Sequence, residues 1–286
     1  MMLRRLREAL TRKYVTLDGP YSGRLVGEGD PSAISVDGEV GRGAVLALHG
    51  FAGTPNEVRT VTDAAARLHL MARAPRLAGH GSDARELMSV GWTDWVKTAT
   101  DALFDLQERA GTRVVVAGLS LGALLAAHLA AVHPERVAGL IAMSNAVWLR
   151  YPSPGLGLAF CDLIKPFGNG FYLPKSGADI RDPDVKKRHM TYEVNPARSA
   201  VEVLRAGRLV RGELSAVRCP ALVIHGQLDR VCPAANAQRF ARALGTTDVE
   251  VAVMPSSGHI VSVDVDRAAV AARVQEFLER VTGVRP

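Results

Sequence analysis

Apolar residues follow two alternating rhythms along this chain. Five short, nearly continuous runs are Val45-Leu46-Ala47-Leu48, Val114-Val115-Val116-Ala117, Val137 to Met143, Ala221-Leu222-Val223-Ile224 and Val249 to Met254. Their length and their content of β-branched residues predict strands, those over Val137 to Met143 and Ala221 to Ile224 buried. Between them, apolar residues recur at helical spacing. Val58, Val61, Ala65 and Leu68 make one such face, and Trp92, Trp95, Ala99, Ala102 and Leu106 make a second that stops at Gly111, a residue suited to a C-cap. Leu121 to Val132 is a third helical segment, and Val270, Val274, Phe277, Leu278 and Val281 mark a last one ending near Gly283. Such alternation implies an α/β fold with a mostly parallel sheet covered by helices on both faces. Thr54-Pro55-Asn56-Glu57 reads as a helix start, with Thr54 as N-cap, Pro55 at the first helical position and Glu57 closing a capping box.

The pattern breaks between Asn145 and Asn195. Trp148, Tyr151, Leu156, Leu158, Phe160, Phe167, Phe171 and Tyr172 are scattered there among prolines and glycines with no long periodic face. The expected organisation is a basic N-terminal segment over 1–20, a core over 21–144 and 196–286, and an insertion over 145–195. Asp179 to Arg188 is strongly charged and is expected to be a solvated face.

Composition adds limits. The chain has 286 residues, 48% of them hydrophobic, enough to bury one sizeable core. No run of about 18 apolar residues exists to span a bilayer, and Met1 to Tyr14 lacks the apolar stretch of a secretory signal. Cys161, Cys219 and Cys232 are widely spaced and fit neither a disulfide framework nor a zinc site, so a cytoplasmic location is expected. Of the net charge of +6, +4 falls in the first 14 residues, where Arg4, Arg5, Arg7, Arg12 and Lys13 face only Glu8. With Leu3, Leu6 and Leu10 that segment has the makings of a weak membrane-surface anchor, although a docked amphipathic helix or a frayed tail is the simpler reading. No basic face interleaved with aromatics points to nucleic acid.

The chemistry centres on Gly118-Leu119-Ser120-Leu121-Gly122, a G-x-S-x-G element that ends one predicted strand and opens a helix. A strand turning at once into a helix holds the middle residue in a strained backbone conformation with its hydroxyl exposed, and the flanking glycines allow close backbone approach. A serine hydroxyl at neutral pH needs a base, and the base needs an orienting acid. Asp229 and His259 each lie just beyond a predicted strand, in the order Ser120, Asp229, His259 that this architecture requires. An oxyanion hole needs two backbone N–H groups. Leu121, after the nucleophile, is one candidate, and Phe51, in the loop His49-Gly50-Phe51-Ala52-Gly53, is the other. His49 and His80 are expected to be buried scaffold residues, and Trp92 and Trp95 core.

His49-Gly50-Phe51-x-Gly53-Thr54, Gly79-His80-Gly81, the G-x-S-x-G element, His225-Gly226-x-x-Asp229 and Ser257-Gly258-His259 resemble the bacterial carboxylesterase and monoacylglycerol lipase branch of the α/β-hydrolases over roughly residues 43 to 280. The resemblance implies Ser120 as nucleophile, Asp229 as acid, His259 as base and Phe51 and Leu121 as oxyanion donors, with no metal or organic cofactor. Hydrolases of this fold commonly carry a small cap where 145–195 lies, the alternative being a long ordered loop packed for stability; if the segment holds the acyl or alcohol group, replacing Trp148 or Phe171 should shift chain-length selectivity independently of the chemistry. The expected substrate is a small lipophilic carboxylic ester. Thioester hydrolysis, acyl transfer and carbon–carbon bond hydrolysis use similar machinery, and a non-catalytic binding protein on the same scaffold is a further alternative.

Overall fold

The computed structural model describes residues 17, 21–149, 170–175 and 177–285. In chain order the strands are β1 (Leu25–Val26), β2 (Ile34–Val36), β3 (Ala44–Leu48), β4 (Met71–Ala74), β5 (Val114–Leu119), β6 (Val137–Met143), β7 (Tyr172–Pro174), β8 (Thr191–Tyr192), β9 (Val194–Pro196), β10 (Ala221–Gly226) and β11 (Val249–Met254). The helices are α1 (Arg59–Arg67), α2 (Ala84–Ser89), α3 (Trp92–Ala110), α4 (Leu121–Val132), α5 (Pro183–Arg188), α6 (Ala197–Glu213), α7 (Asn236–Ala243) and α8 (Arg267–Thr282). Seven strands form one sheet in the order β11-β10-β6-β5-β3-β4-β2. All neighbours are parallel except the edge pair β2–β4.

Why the central strands read as unbroken apolar runs is visible in their alternation. Leu46, Leu48, Val114, Val116, Leu140 and Val223 pack to one side with α3, α4, α6 and α7. Val45, Ala47, Val115, Ile141, Leu222 and Ile224 pack to the other with α1 and α8. A strand buried on both faces has no position left for a polar residue. The chain crosses over between parallel neighbours by helices, so every βα loop emerges at the same edge of the sheet. The expected helix faces lie where the spacing put them: Val58, Val61, Ala65 and Leu68 are buried, and Trp95 is fully buried. Gly111 and Gly283 close their helices in the left-handed conformation, with φ of 67° and 74°.

One local expectation fails. Residues Pro55–Val58 form a 3-10 turn rather than the first turn of α1, and Thr54 makes no side-chain cap. The Glu57 carboxylate turns instead to the Gly50 N–H, 2.8 Å away, because the loop before it offers that orphan donor.

The segment after β6 lies partly outside the described residues, including Tyr151, Leu156, Leu158, Phe160, Cys161 and Phe167, as do all residues of the basic N-terminal segment except Leu17. In the described part, β7 pairs antiparallel with β9, and β1 with β8. Tyr192 on β8 is fully buried; its hydroxyl donates to the Gly79 carbonyl at 3.3 Å and accepts from Ser82 N at 3.2 Å. Thr191 donates to the Ala52 carbonyl at 3.0 Å, so this segment is tied to two of the loops at the sheet edge. Among the described residues no helix is long and apolar enough to cross a membrane.

The tightest point is where β5 meets α4. A Cβ on Gly118 would overlap the Gly122 carbonyl, and one on Gly122 would overlap the backbone carbonyl of Leu48. Neither obstacle is a side chain that can swing away. Gly122→Ala is therefore expected to destabilise the fold by about 2–3 kcal/mol, the cost of overpacking against fixed backbone. A urea midpoint unchanged from the parent protein would show that β3 and α4 are not held this closely.

Candidate active site

Three loops at one edge of the sheet converge on Ser120. It is the N-cap of α4, with φ 56° and ψ −108°, and its own N–H is spent on the Met143 carbonyl at 2.9 Å. For a residue with a side chain this backbone is a strained one, costing about 1–3 kcal/mol. His259 Nε2 lies 2.8 Å from Ser120 Oγ, and His259 Nδ1 lies 2.8 Å from Asp229 Oδ2. All three residues are buried, Ser120 at 8% exposure still open to a cavity.

The Asp229 carboxylate is held by four donors. Its Oδ1 accepts from the N–H groups of Val231 and Cys232, both at 2.7 Å, and its Oδ2 lies 2.8 Å from His259 Nδ1 and 3.0 Å from His225 Nε2. Burial alone would raise its pKa, but the two imidazoles outweigh it and hold the carboxyl below the ordinary carboxylate range. Burial likewise opposes charge on His259, yet the Asp229 carboxylate wins and lifts its pKa well above 6.5. His225, fully buried on β10, is a contributor that residue-by-residue reading missed, although its place in His225-Gly226-x-x-Asp229 marked it.

The loop after β3 is fixed as firmly. His49 is buried, its Nδ1 donating to the Gly50 carbonyl at 2.9 Å and its Nε2 accepting from Leu77 N at 3.1 Å. His80 stacks edge-on against His49, Phe51 and Trp95, with ring centroids 5.0, 6.1 and 5.9 Å apart, and burial pushes its pKa down to about 3. Both are neutral scaffold. Ala52 adopts φ 59°, and Gly53 N closes the turn on Gly50 O at 3.2 Å, a set of bonds in which the Phe51 N–H takes no part. The Leu121 N–H, first in α4, is one of the orphan donors of a helix start.

Two acidic residues have unforeseen tasks. Glu57 is buried and pairs with His189 at 3.1 Å as well as with Gly50 N; burial works against its charge, but these partners keep its pKa below normal. Asp179 does not lie on a solvated face. Its Oδ2 accepts from His259 N at 3.2 Å and Arg230 N at 2.8 Å, and its Oδ1 pairs with Arg181 at 3.3 Å. Arg230 and His259 both lie more than fifty residues downstream, which no local pattern reports.

Ser120 and His259 open into a cavity of about 390 Å³. One sector is apolar, lined by Phe51, Leu149, Leu173, Val203, Val231 and Ile260. Trp148 and Phe171, expected to line it, are not among its walls. The Trp148 ring instead packs beneath the Arg239 guanidinium at 4.2 Å. Cys219 and Cys232 are free thiols; Cys232 is buried beside Asp229 and His259, the donor atoms of the three lying within 4.8 Å of one another. The site that this group overlaps is already closed by the Asp229–His259 hydrogen bond.

Residues 40–266 match the Hydrolase_4 family, described as serine aminopeptidase, S33. The chain belongs to this family. A thermostable monoacylglycerol lipase of Bacillus sp. (strain H-257) is 30% identical over 248 residues, 86% of this chain and 94% of that protein. A carboxylesterase of Bacillus subtilis (strain 168) is 25% identical over 83% of this chain and 93% of its own length. A solved structure from work on LipS and LipT, two metagenome-derived lipolytic enzymes, superposes with a TM-score of 0.80 at 29% identity, covering 89% of this chain and 100% of that one. The fold is that of the α/β-hydrolases, and the chain falls in their carboxylesterase and monoacylglycerol lipase branch. It is a carboxylic ester hydrolase.

Proposed function

We propose that this hydrolase cleaves esters of lipophilic acids, monoacylglycerols among them, through an acyl-enzyme on Ser120. The observation that carries the reading is the unbroken hydrogen-bond chain from Ser120 Oγ through His259 to Asp229, with 2.8 Å at each link. In this reading Ser120 Oγ attacks the ester carbonyl as His259 Nε2 takes its proton, and Asp229 stabilises the imidazolium. The N–H groups of Phe51 and Leu121 receive the oxyanion. Collapse of the tetrahedral intermediate expels the alcohol, protonated by His259; a water then loses its proton to the same nitrogen and releases the acid. Residues 145–195 form a cap in this proposal, and Leu149 and Leu173 are its contribution to the acyl sector.

The family description raises peptide hydrolysis as a second reading. An aminopeptidase needs a carboxylate free to hold a terminal ammonium. Among the described residues the two carboxylates on the cavity wall, Glu57 and Asp179, are both taken up, Glu57 by Gly50 N and His189 and Asp179 by Arg181, Arg230 N and His259 N. That favours an ester with an apolar acyl chain.

Ser120→Ala is expected to lower esterase activity by about three orders of magnitude or more while preserving the fold and removing labelling by a fluorophosphonate. Retention of a tenth of the parent rate would show another nucleophile. The acid limb of kcat/KM follows from His259: only its neutral form accepts a proton, and its pKa is raised above 6.5, so the rate should climb with pH along a limb centred above that value. A limb at or below about 6.5, with chemistry limiting, would remove Asp229 as its dominant partner. Leu173→Ala should weaken longer p-nitrophenyl esters more than the acetate, by up to about 0.8 kcal/mol for each substrate methylene that the smaller side chain leaves in water. An unchanged chain-length profile in the folded variant would place the acyl chain elsewhere.

A further inference from the structure

Beside its apolar residues the cavity has polar walls that carry an excess of positive charge. Lys175, Lys186 and Arg230 line it together with Glu57, Asp179, His189, Thr191 and Asn195. Both carboxylates are spent on other groups, as described above, and His189 is spent on Glu57. No carboxylate of a described residue lies within 4.0 Å of the side-chain nitrogens of Lys175, Lys186 or Arg230. Lys175 is the most telling of the three. It follows β7, is half-buried, and its ammonium has one partner among the described residues, the Thr191 hydroxyl at 2.6 Å, which itself donates onward to the Ala52 carbonyl of the loop bearing Phe51.

A charge taken from water without a counter-ion is costly. Here burial pushes the Lys175 pKa down to about 8, with Glu57 only partly opposing the shift. A wall that tolerates such a group in the cavity of the nucleophile is complementary to an anion. We propose that this wall is an anion subsite, centred on Lys175 and flanked by Lys186 and Arg230, that selects esters whose alcohol portion carries a phosphate or a carboxylate. The inference rests on the function proposed above and extends it: the acyl chain lies against Phe51, Leu149, Leu173 and Val203, the carbonyl at Ser120, and the charged end of the alcohol at Lys175.

The test compares three esters of one short acid, so that chain length and micelle formation play no part: 1-hexanoylglycerol, 1-hexanoylglycerol 3-phosphate and the hexanoyl ester of glycolate. In the parent protein kcat/KM for at least one anionic ester should exceed that for 1-hexanoylglycerol by about tenfold, and which of the two gains more distinguishes phosphate from carboxylate. Lys175→Met should cut the anionic-to-neutral ratio by about tenfold and Lys186→Met by about threefold. Equal ratios in the parent and in Lys175→Met overturn the subsite, as does a parent protein with no preference for either anionic ester. If Lys175→Met does not fold, competition on the parent protein serves instead. Glycerol 3-phosphate or glycolate should inhibit hydrolysis of 1-hexanoylglycerol competitively at concentrations where glycerol does not, and absence of that inhibition overturns the proposal. Hydrolysis of all three esters at equal efficiency leaves the Ser120 reaction standing, whereas hydrolysis of none removes the function on which the subsite rests.

Discussion

Everything at the reactive edge of this molecule depends on keeping Ser120 in a backbone conformation it would not choose. At φ 56° and ψ −108° the residue relaxes into the extended or helical region unless both of its neighbours are immovable. They are. β5 is hydrogen-bonded on both sides within the sheet, α4 is buried along nearly its whole length, and Gly118 and Gly122 let strand, helix and the end of β3 touch backbone to backbone. The same close approach that strains Ser120 brings the end of β3 and its following loop against the start of α4, so the Phe51 and Leu121 N–H groups are positioned by one packing event. Ser120 and the donors proposed for an oxyanion beside it are therefore a single structural unit.

Asp229 and His259 reach Ser120 from other strands, and the loop that carries His259 is held by carboxylates. Asp264 is fully buried and its carboxylate accepts from Gly258 N at 2.7 Å and from Arg181 N and Asp182 N, each at 2.9 Å. Asp179 binds the next peptide, His259 N. Two acidic side chains thus sew the loop carrying His259 to residues 179–182. Charge-assisted bonds of this kind are about twice as strong as neutral ones and fix direction as well as distance, which a loop with few apolar residues needs.

The parts of this architecture that were legible in the sequence are those whose causes are local. A strand buried on both faces must be apolar throughout, and a nucleophile elbow must have small residues on either side, so β3, β5, β6 and β10 and the positions of Ser120, Asp229 and His259 at loop starts follow from runs of a few residues, whereas β11, at the sheet edge, is half-exposed and carries Glu250. Glu57 illustrates the opposite case. Its spacing from Thr54 matches a capping box, but the competing donor at Gly50 N and the imidazole of His189, more than a hundred residues away, decide where the carboxylate goes. Asp179 sits in a charged stretch whose composition suggests water, and only the fold brings it to His259. The apolar surroundings of Trp148 in the sequence suggest a wall of the pocket, whereas cation–π packing under Arg239 turns its ring elsewhere. Long-range electrostatic partners are what periodicity cannot report.

Asp179 also alters the relation between chemistry and selectivity. Had residues 145–195 been a separate flap over a finished site, substrate preference would vary there without touching the rate of reaction. Instead one residue of that segment lines the cavity, binds the peptide of His259 and binds that of Arg230, which is adjacent to Asp229 and lines the cavity as well. A change at Asp179 therefore acts through a bond of 3.2 Å on His259, the residue that makes the 2.8 Å hydrogen bond with Ser120. The parallel sheet favours this coupling, because it delivers all of its βα loops to one edge, where the peptides of Arg230 and His259 both donate to Asp179 of the inserted segment.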